Sequence, residues 1–579
     1  MRESIQTLWP YLWRHRRGMA LGLTALVAKD AVAVAIPLLL KSTVDQLTQG
    51  SAWALVIRWI ALLMVAGLLK GAFQYAMRVV LIGISRDIEY DLRNDLFRHL
   101  VTLSPGFYAG QRTGDIMARS TNDLNAVRMM LGPGMMYLTE TSLTFVLAVA
   151  VMLSFDPGLA ALALLPAPFV SFAVIFFGRR IHERFEKIQA MFSGISSRVQ
   201  ENLSGVRMIR AYVQEEAELR RFRDLNEEYI AQNLRLVRIQ GVFQPLLEAL
   251  IGLTFLIVLW AGGLRVLSGD LTLGTFVMFN FYMGMLVWPM IALGWVVNLM
   301  QRGTASMHRI NELLHEQPSI AAPPVPKALP ARTGAIEFDD VSLHYSAGPA
   351  LSGVSLRIEP GETIAIVGRT GSGKSTLAEL IPRLRDPSSG VVRIGGIDVR
   401  DLDPADLRRR IGMVPQETFL FSTTIEENIA FGVEDAPPEK VRWAAEVAGL
   451  AHDIEGFPAG YRTMVGERGI TLSGGQKQRL AIARALIRDP QVLILDDALS
   501  SVDTVTEERI LTGLRQLLGG RTVILISHRV STVREAGSIV VLDRGSVVER
   551  GTHQELVGAA GYYADLAQRQ ALEEELETI

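Results

Sequence analysis

Residues Gly368-Arg369-Thr370-Gly371-Ser372-Gly373-Lys374-Ser375-Thr376 can grip a chain of phosphates. They form a complete G-x-x-x-x-G-K-S/T loop between the apolar run Ile364 to Val367 and the helix-prone Leu377 to Leu380. Strand, loop and helix in that order is the setting the pattern needs. Glycines let successive N–H groups curl around phosphate oxygens, and the helix start adds partial positive charge. Lys374 would reach the terminal phosphates, and the Ser375 hydroxyl can ligate Mg²⁺. A glycine-rich surface turn has no use for a Lys-Ser pair in this register. The C-terminal part is therefore expected to bind a nucleoside triphosphate.

Two further stretches bear on that chemistry. Val492 to Leu495 is an apolar strand ending in the carboxylate of Asp496. A buried parallel strand delivers such a group to the ligand-binding edge of its sheet, where it can hold Mg²⁺. Leu472-Ser473-Gly474-Gly475-Gln476 precedes the helix-prone run Lys477 to Leu486, which makes a second anion-binding backbone nest. The phosphate loop's own helix occupies one side of its nucleotide. A second element is thus expected to serve the nucleotide of a head-to-tail partner.

The elements that must carry these residues fall into two halves. The chain has 579 residues, 49% hydrophobic and only 20% charged, with a mean hydropathy of +0.25. That is too apolar for an ordinary soluble enzyme and points to membrane spans. There is no cysteine, so disulfides, thiolate metal sites and a cysteine nucleophile are excluded. A formal net charge of −2 gives no electrostatic case for nucleic acid. Apolar segments lie at roughly 18–45, 55–80, 130–153, 158–178, 243–266 and 272–299, each long enough to cross the hydrocarbon as a helix. The first follows Arg14, Arg16 and Arg17, is long for a signal segment, and lacks a small-residue cleavage pattern, so it reads as a retained span. The segments lack period-2 alternation, which argues against a barrel.

Arginines concentrate at the N-terminus and in the long connections Arg86 to Arg128 and Arg179 to Arg238. The positive-inside bias places these, and both termini, in the cytoplasm. Both connections read as helical extensions. Breaks at Ser104 to Gly106 and Gly110 to Gly114 predict a turned helix at the first tip, and 205–218 is the candidate for the second. Lys29 and Asp30 lie in span one, Glu140 in span three and Glu248 in span five; each is either a substrate contact or a satisfied buried charge. Met278, Met283, Met285 and Met290 suit plain packing or an adaptable apolar surface. The boundaries read 1–316 for the membrane part, 317–332 for a linker with five prolines, and 333–579 for the nucleotide-binding domain.

On these residues the chain resembles a half of an ATP-binding cassette transporter of the type IV (type I exporter) fold. The expected fold class is six transmembrane helices with long cytoplasmic extensions, fused to an α/β phosphate-loop ATPase. The resemblance spans essentially the whole chain and is sharpest at the signature 472–476. It implies that Tyr345 stacks on adenine, that Gln416 senses Mg²⁺, and that Glu467 lies near the coupling helices. It further implies that Ser500 and Asp503 sit on a loop crossing a dimer interface, and that His528 contacts the γ-phosphate. Tyr345 does offer a rigid π-face, and Gln416 and His528 offer suitable polar groups.

One departure matters. The family's catalytic glutamate follows the Mg²⁺ aspartate, and this chain has Asp497 there. Aspartate is one methylene shorter, and a general base must reach the attacking water. Ala498-Leu499-Ser500-Ser501-Val502-Asp503 also differs from the family's usual Ala-Thr-Ser-Ala-Leu-Asp. This pattern resembles the degenerate subunit of heterodimeric exporters, whose partner supplies the glutamate. The expected function is ATP-driven export of amphipathic compounds, lipids or peptides by such a heterodimer, with ATP and Mg²⁺ as cofactors. The alternatives are a homodimeric exporter that uses Asp497 and an ATP-gated regulatory subunit with little turnover. Membrane and ATPase parts fused in one chain disfavour an importer, and six spans exclude a soluble signature-bearing ATPase.

Overall fold

A computed structural model describes residues 2–50, 52–345, 348–466, 469, 471–517 and 519–577. The chain divides into two compact units, Met1–Thr102 with Arg112–Glu316 and Leu103–Gln111 with Gln317–Ile579.

Among the described residues, the first unit holds six helices long and apolar enough to cross a membrane. They are α1 (Arg16–Thr48), α2 (Trp53–Leu100), α3 (Thr113–Phe155), α4 (Pro157–Ser204), α5 (Glu215–Leu267) and α6 (Leu273–His315). The charged connections continue the helices, because their mixed-sign, Gly-poor sequence favours helix on a solvated surface. Short helices at Pro105–Gly110 and Val206–Ala211 form the two tips. Small residues let the helices approach closely, as where Ala148, Ala160 and Ala163 pack with Val258, Phe279 and Tyr282.

The ionisable residues in the spans mostly find one another. Lys29 Nζ lies 2.8 Å from Asp30 and 2.5 Å from Glu140, which ties α1 to α3. A charge in a low-dielectric bundle is stable only with such partners. Glu248 is exposed and accepts from Gln244 at 3.1 Å. Met278 and Met283 are buried in the bundle core, Met285 packs beside them, and Met290 packs against Val170 and Leu247.

The second unit is built on two sheets. Strands β1 (Ile336–Tyr345), β2 (Gly348–Ile358), β4 (Ser389–Ile394) and β5 (Ile397–Asp398) form one, in the order β2-β1-β4-β5. The larger sheet contains β3 (Thr363–Gly368), β6 (Ile411–Val414), β7 (Val492–Asp496), β8 (Thr522–Ile526), β9 (Ser538–Asp543) and β10 (Ser546–Gly551). Its order is β10-β9-β3-β8-β7-β6, and every pair but β10 with β9 is parallel. A parallel sheet is covered on both faces, so its strands are apolar throughout. In β7, Val492 and Ile494 enter one core while Leu493 and Leu495 enter the other. The helices that matter below are α7 (Lys374–Leu380), α8 (Gly474–Leu486), α9 (Thr504–Leu517) and α10 (Tyr562–Glu577).

The proline-rich 317–332 stretch is tied along this unit. Lys327 N donates to Asp401 O at 2.8 Å, and Lys327 Nζ pairs with the Asp401 carboxylate. The first tip helix belongs to the same unit, with Ser319 Oγ donating to Ser104 Oγ at 2.7 Å.

Candidate functional site

Strand order explains the site. Parallel β3, β8, β7 and β6 are neighbours, so their C-terminal ends form one row. Lys374 follows β3, His528 follows β8, Asp496 and Asp497 close β7, and Gln416 follows β6. These residues line one cleft of about 420 Å³. Tyr345, Thr370, Gly371, Gly373, Ser375 and Thr376 also line it.

The phosphate loop is glycine-dependent at defined points. Gly373 is left-handed at φ 101°, and a Cβ there would stand 2.5 Å from the Ala350 carbonyl oxygen. A Cβ on Gly368 would stand 2.1 Å from the Leu542 carbonyl oxygen. Neither position accepts a side chain without moving backbone. Lys374 opens α7 and is buried, with Nζ donating to Gly368 O at 3.0 Å and Arg369 O at 2.9 Å. Burial pulls its pKa down, while Asp496 and Asp497 pull it up. Ser372 lies inside the loop, and the Arg369 guanidinium sits over the Tyr562 ring at 5.6 Å.

Asp496 is 3% exposed. Burial raises its pKa, Asp497 raises it further, and a Ser375 hydrogen bond and Lys374 oppose. The carboxylate is thus under-compensated, which suits a cation-binding group. Ser375, Asp496 and Gln416 together offer only oxygen donors from side chains that share the cleft. Among the described residues no group of three His, Asp or Glu gathers to hold a metal. Mg²⁺ fits this arrangement, because it usually takes one or two carboxylates plus substrate phosphates and water. When bound, it would neutralise charge developing on the transferred phosphoryl group.

Asp497 is also left-handed, at φ 49°, a conformation that Asp tolerates better than most residues. Burial lowers the His528 pKa and Lys374 lowers it further, against a pull from Asp497. Tyr345 is 38% exposed, its hydroxyl is 3.3 Å from Thr376 Oγ1, and the Arg385 guanidinium lies 5.0 Å from its ring centre.

The signature residues stand apart from this cleft. Leu472 is buried in the helical core, while Ser473 and Gly474 are exposed. The helix starts at Gly474, three residues earlier than composition suggests, because Ser473 and Gln476 form a reciprocal capping box. Ser473 N donates to Gln476 Oε1 at 3.0 Å, and Gln476 N donates to Ser473 Oγ at 3.2 Å. Such a cap contributes about 1 kcal/mol, enough to offset two helical glycines in part. Gly475 packs on the next loop, where a Cβ would stand 2.8 Å from Ser501 O. Ser500 Oγ donates to Asp497 O, and Asp503 caps α9 through Thr506 N at 2.8 Å. The expectation for Glu467 falls outside the described residues.

Three residues that brace the loops around the site escaped sequence reasoning. Gln478 Nε2 donates to Ser500 Oγ at 2.9 Å and to Asp497 O at 3.3 Å, and its Oε1 accepts from Ser501 N at 2.9 Å. Its signal was readable: it is a polar residue on the helical face of buried Ala481, Ile482 and Ala485. Arg529 bridges to Val502 O, Ser500 O and Glu507. Gln570 hydrogen-bonds the backbone at His528 and Val530.

Comparison with known proteins defines the class. The model for the ABC transporter transmembrane region matches residues 19–290, and the ABC transporter domain model matches residues 351–500. The chain is 39% identical over 558 residues to the "Probable multidrug resistance ABC transporter ATP-binding/permease protein YheI" of Bacillus subtilis, covering 95% of each chain. It is 38% identical to the "Multidrug resistance-like ATP-binding protein MdlA" of Escherichia coli, covering 100% of this chain and 98% of that protein. A solved bacterial Atm1-family ABC exporter with ATP bound superposes with a TM-score of 0.81 at 29% identity, covering 96% of this chain and 99% of that one. The chain belongs to the ABC transporter family. It has the exporter fold, a six-helix membrane domain joined to an α/β ATP-binding domain, and is an ATP-hydrolysing membrane transporter.

Proposed function

We propose that this chain is one half of a heterodimeric ABC exporter whose own ATP site hydrolyses slowly. The observation that carries the reading is a separation. The cleft with Lys374, Asp496, Asp497 and His528 does not include Ser473 or Gly474, which are exposed elsewhere on the same unit. An exposed anion nest at a helix start suits the nucleotide of another chain. In this reading Tyr345 stacks on adenine, and residues 368–376 hold the phosphates. Ser375, Asp496 and Gln416 hold Mg²⁺, while Asp497 and His528 face the γ-phosphate. Leu472 to Gln476, Ser500 and Asp503 form the face offered to the partner.

Asp497 makes the two sites unequal. Its carboxylate is one methylene short of the family's base, and a displacement near 1 Å costs about 10²-fold. A partner chain carrying Asp-Glu at this position would supply the faster site. Substrates are amphipathic compounds, lipids or peptides, with drugs favoured by the multidrug names of the relatives. Residues 1–316 form the membrane domain, 317–332 the linker and 333–579 the nucleotide-binding domain, with both termini cytoplasmic at the bacterial inner membrane. A homodimer using Asp497 is the second reading, favoured by Lys374, Gln416 and His528 all lining the cleft.

Co-expression with the chain encoded beside it tests the assignment. The expected result is a stable 1:1 complex with turnover far above that of the chain alone. Equal turnover by the chain alone would replace the heterodimer with the homodimer.

A further inference from the structure

The turn that carries His528 is held from two sides. On the inner side, the Arg529 guanidinium reaches Ser500 O at 3.0 Å and Val502 O at 3.2 Å, and pairs with Glu507 at 2.8 Å. On the outer side stands α10, a helix that follows every ATP-binding motif in the chain. Its start is fixed by Glu549, which accepts from Tyr562 N at 2.5 Å and Tyr563 N at 3.2 Å. Tyr563 is buried, with its hydroxyl 2.8 Å from His553 Nδ1. Two turns further on, Gln570 meets the His528 turn. Its Nε2 donates to His528 O at 2.6 Å, and its Oε1 accepts from Val530 N at 2.7 Å.

This contact has a specific chemical requirement. One side chain must donate to a carbonyl and accept from an N–H two residues later. A primary amide does both; an ionised carboxylate only accepts, and an ammonium only donates. Asparagine has the right groups but is one methylene shorter. The bonded atoms are backbone atoms of residues 528 and 530, so the amide fixes the direction in which the imidazole leaves the chain. His528 lines the cleft with Lys374 and Asp497. A rotation of this turn would displace the imidazole, which projects from it, by more than the backbone itself moves.

We infer that Gln570 is a positioning residue for ATP hydrolysis, holding His528 toward the γ-phosphate through the main chain. The inference rests on the reading above that His528 acts on that phosphate. It gives α10 a direct mechanical hold on the hydrolytic centre, beside the Arg369–Tyr562 contact that touches the phosphate loop. Gln570 itself does not reach the cleft and takes no part in the chemistry.

A double-mutant cycle in the full-length chain reconstituted in lipid without its partner, where all turnover comes from the site that holds His528, tests it, measuring kcat and KM for Mg-ATP with His528→Ala, Gln570→Ala, Gln570→Glu and the double variant. Gln570→Ala and Gln570→Glu are each expected to lower kcat about tenfold while ATP KM moves less than about twofold. The double variant His528→Ala/Gln570→Ala should be no slower than His528→Ala alone, because both changes remove one function. The near-isosteric Gln570→Glu separates the lost donor from lost packing. Unchanged kcat in the Gln570 variants, or losses that multiply fully with that of His528→Ala, would overturn the inference and leave the role of His528 standing. Unchanged kcat in His528→Ala would instead remove that role, and the inference with it.

Discussion

The backbone N–H of Asp497 donates to the carbonyl oxygen of Ile526 at 2.9 Å. It joins the residue after Asp496 to the strand end two residues before His528. The Asp497 carbonyl is engaged as well, accepting from Ser500 Oγ at 2.9 Å and from Gln478 Nε2. With both backbone groups held, the reach of residue 497 is set by the length of its side chain. Under the proposed function, the base at this position is fixed on an arm one methylene shorter than glutamate.

Lys374 and the signature should separate by site. Lys374→Ala removes a buried ammonium from the phosphate loop and should weaken ATP binding at this chain's own site by about tenfold or more. Gly474→Asp should leave that binding nearly unchanged and reduce turnover of the assembled complex strongly. A Cβ at 474 makes only ordinary contact, 3.4 Å from Ser501, so the charge and not a clash is the cause. Ser473→Ala should act in the same direction more mildly. Site-resolved nucleotide photocrosslinking with ATPase assays checks all three; equal loss of labelling at both sites would contradict the separation.

Asp496 should limit stability in the absence of Mg²⁺. Its folded-state pKa is raised, chiefly by burial. A raised acid favours the fold below the unfolded pKa and loses that contribution as pH rises through the folded value. At neutral pH the ionised group is therefore a cost. Asp496→Asn should raise the melting temperature of the nucleotide-free transporter while abolishing Mg²⁺-dependent hydrolysis. A lower melting temperature at pH 7.5 would show that the charge is better paired than the structure indicates.

His528 runs the other way. Its folded pKa is depressed by burial and by Lys374. Between that value and the unfolded value of about 6.5, the unfolded chain binds more protons, so stability falls as pH falls through this window. His528→Gln should remove that part of the pH dependence. The melting temperature of the unaltered chain should fall relative to that of the variant as pH is lowered from 7.5 to 5. A constant spacing would mean that His528 titrates normally.

Much of this was legible because the ATP motifs are local. Phosphate loop, signature and Asp496 each pair a short pattern with the element that presents it, and strand β7 was apparent from five apolar and acidic residues in a row. The helical connections were legible from their mixed charge. Pairing was not. Lys29 and Glu140 are 111 residues apart, and only the packing of α1 on α3 decides that they meet. Gln570 was invisible for the same reason: a glutamine on a charged C-terminal helix looks solvated until the 528 turn is placed against it. The helix start at Gly474 was misjudged because glycine propensity was outweighed by the Ser473–Gln476 cap.

The most direct test of the unequal-site account is the ATP turnover of Asp497→Glu in the full-length chain without its partner, reconstituted in lipid. The added methylene should carry the carboxylate toward the attacking water and raise kcat about tenfold or more, with ATP KM little changed. Turnover equal to or below that of the unaltered chain would contradict the account, since the length of residue 497 would then not be what slows this site.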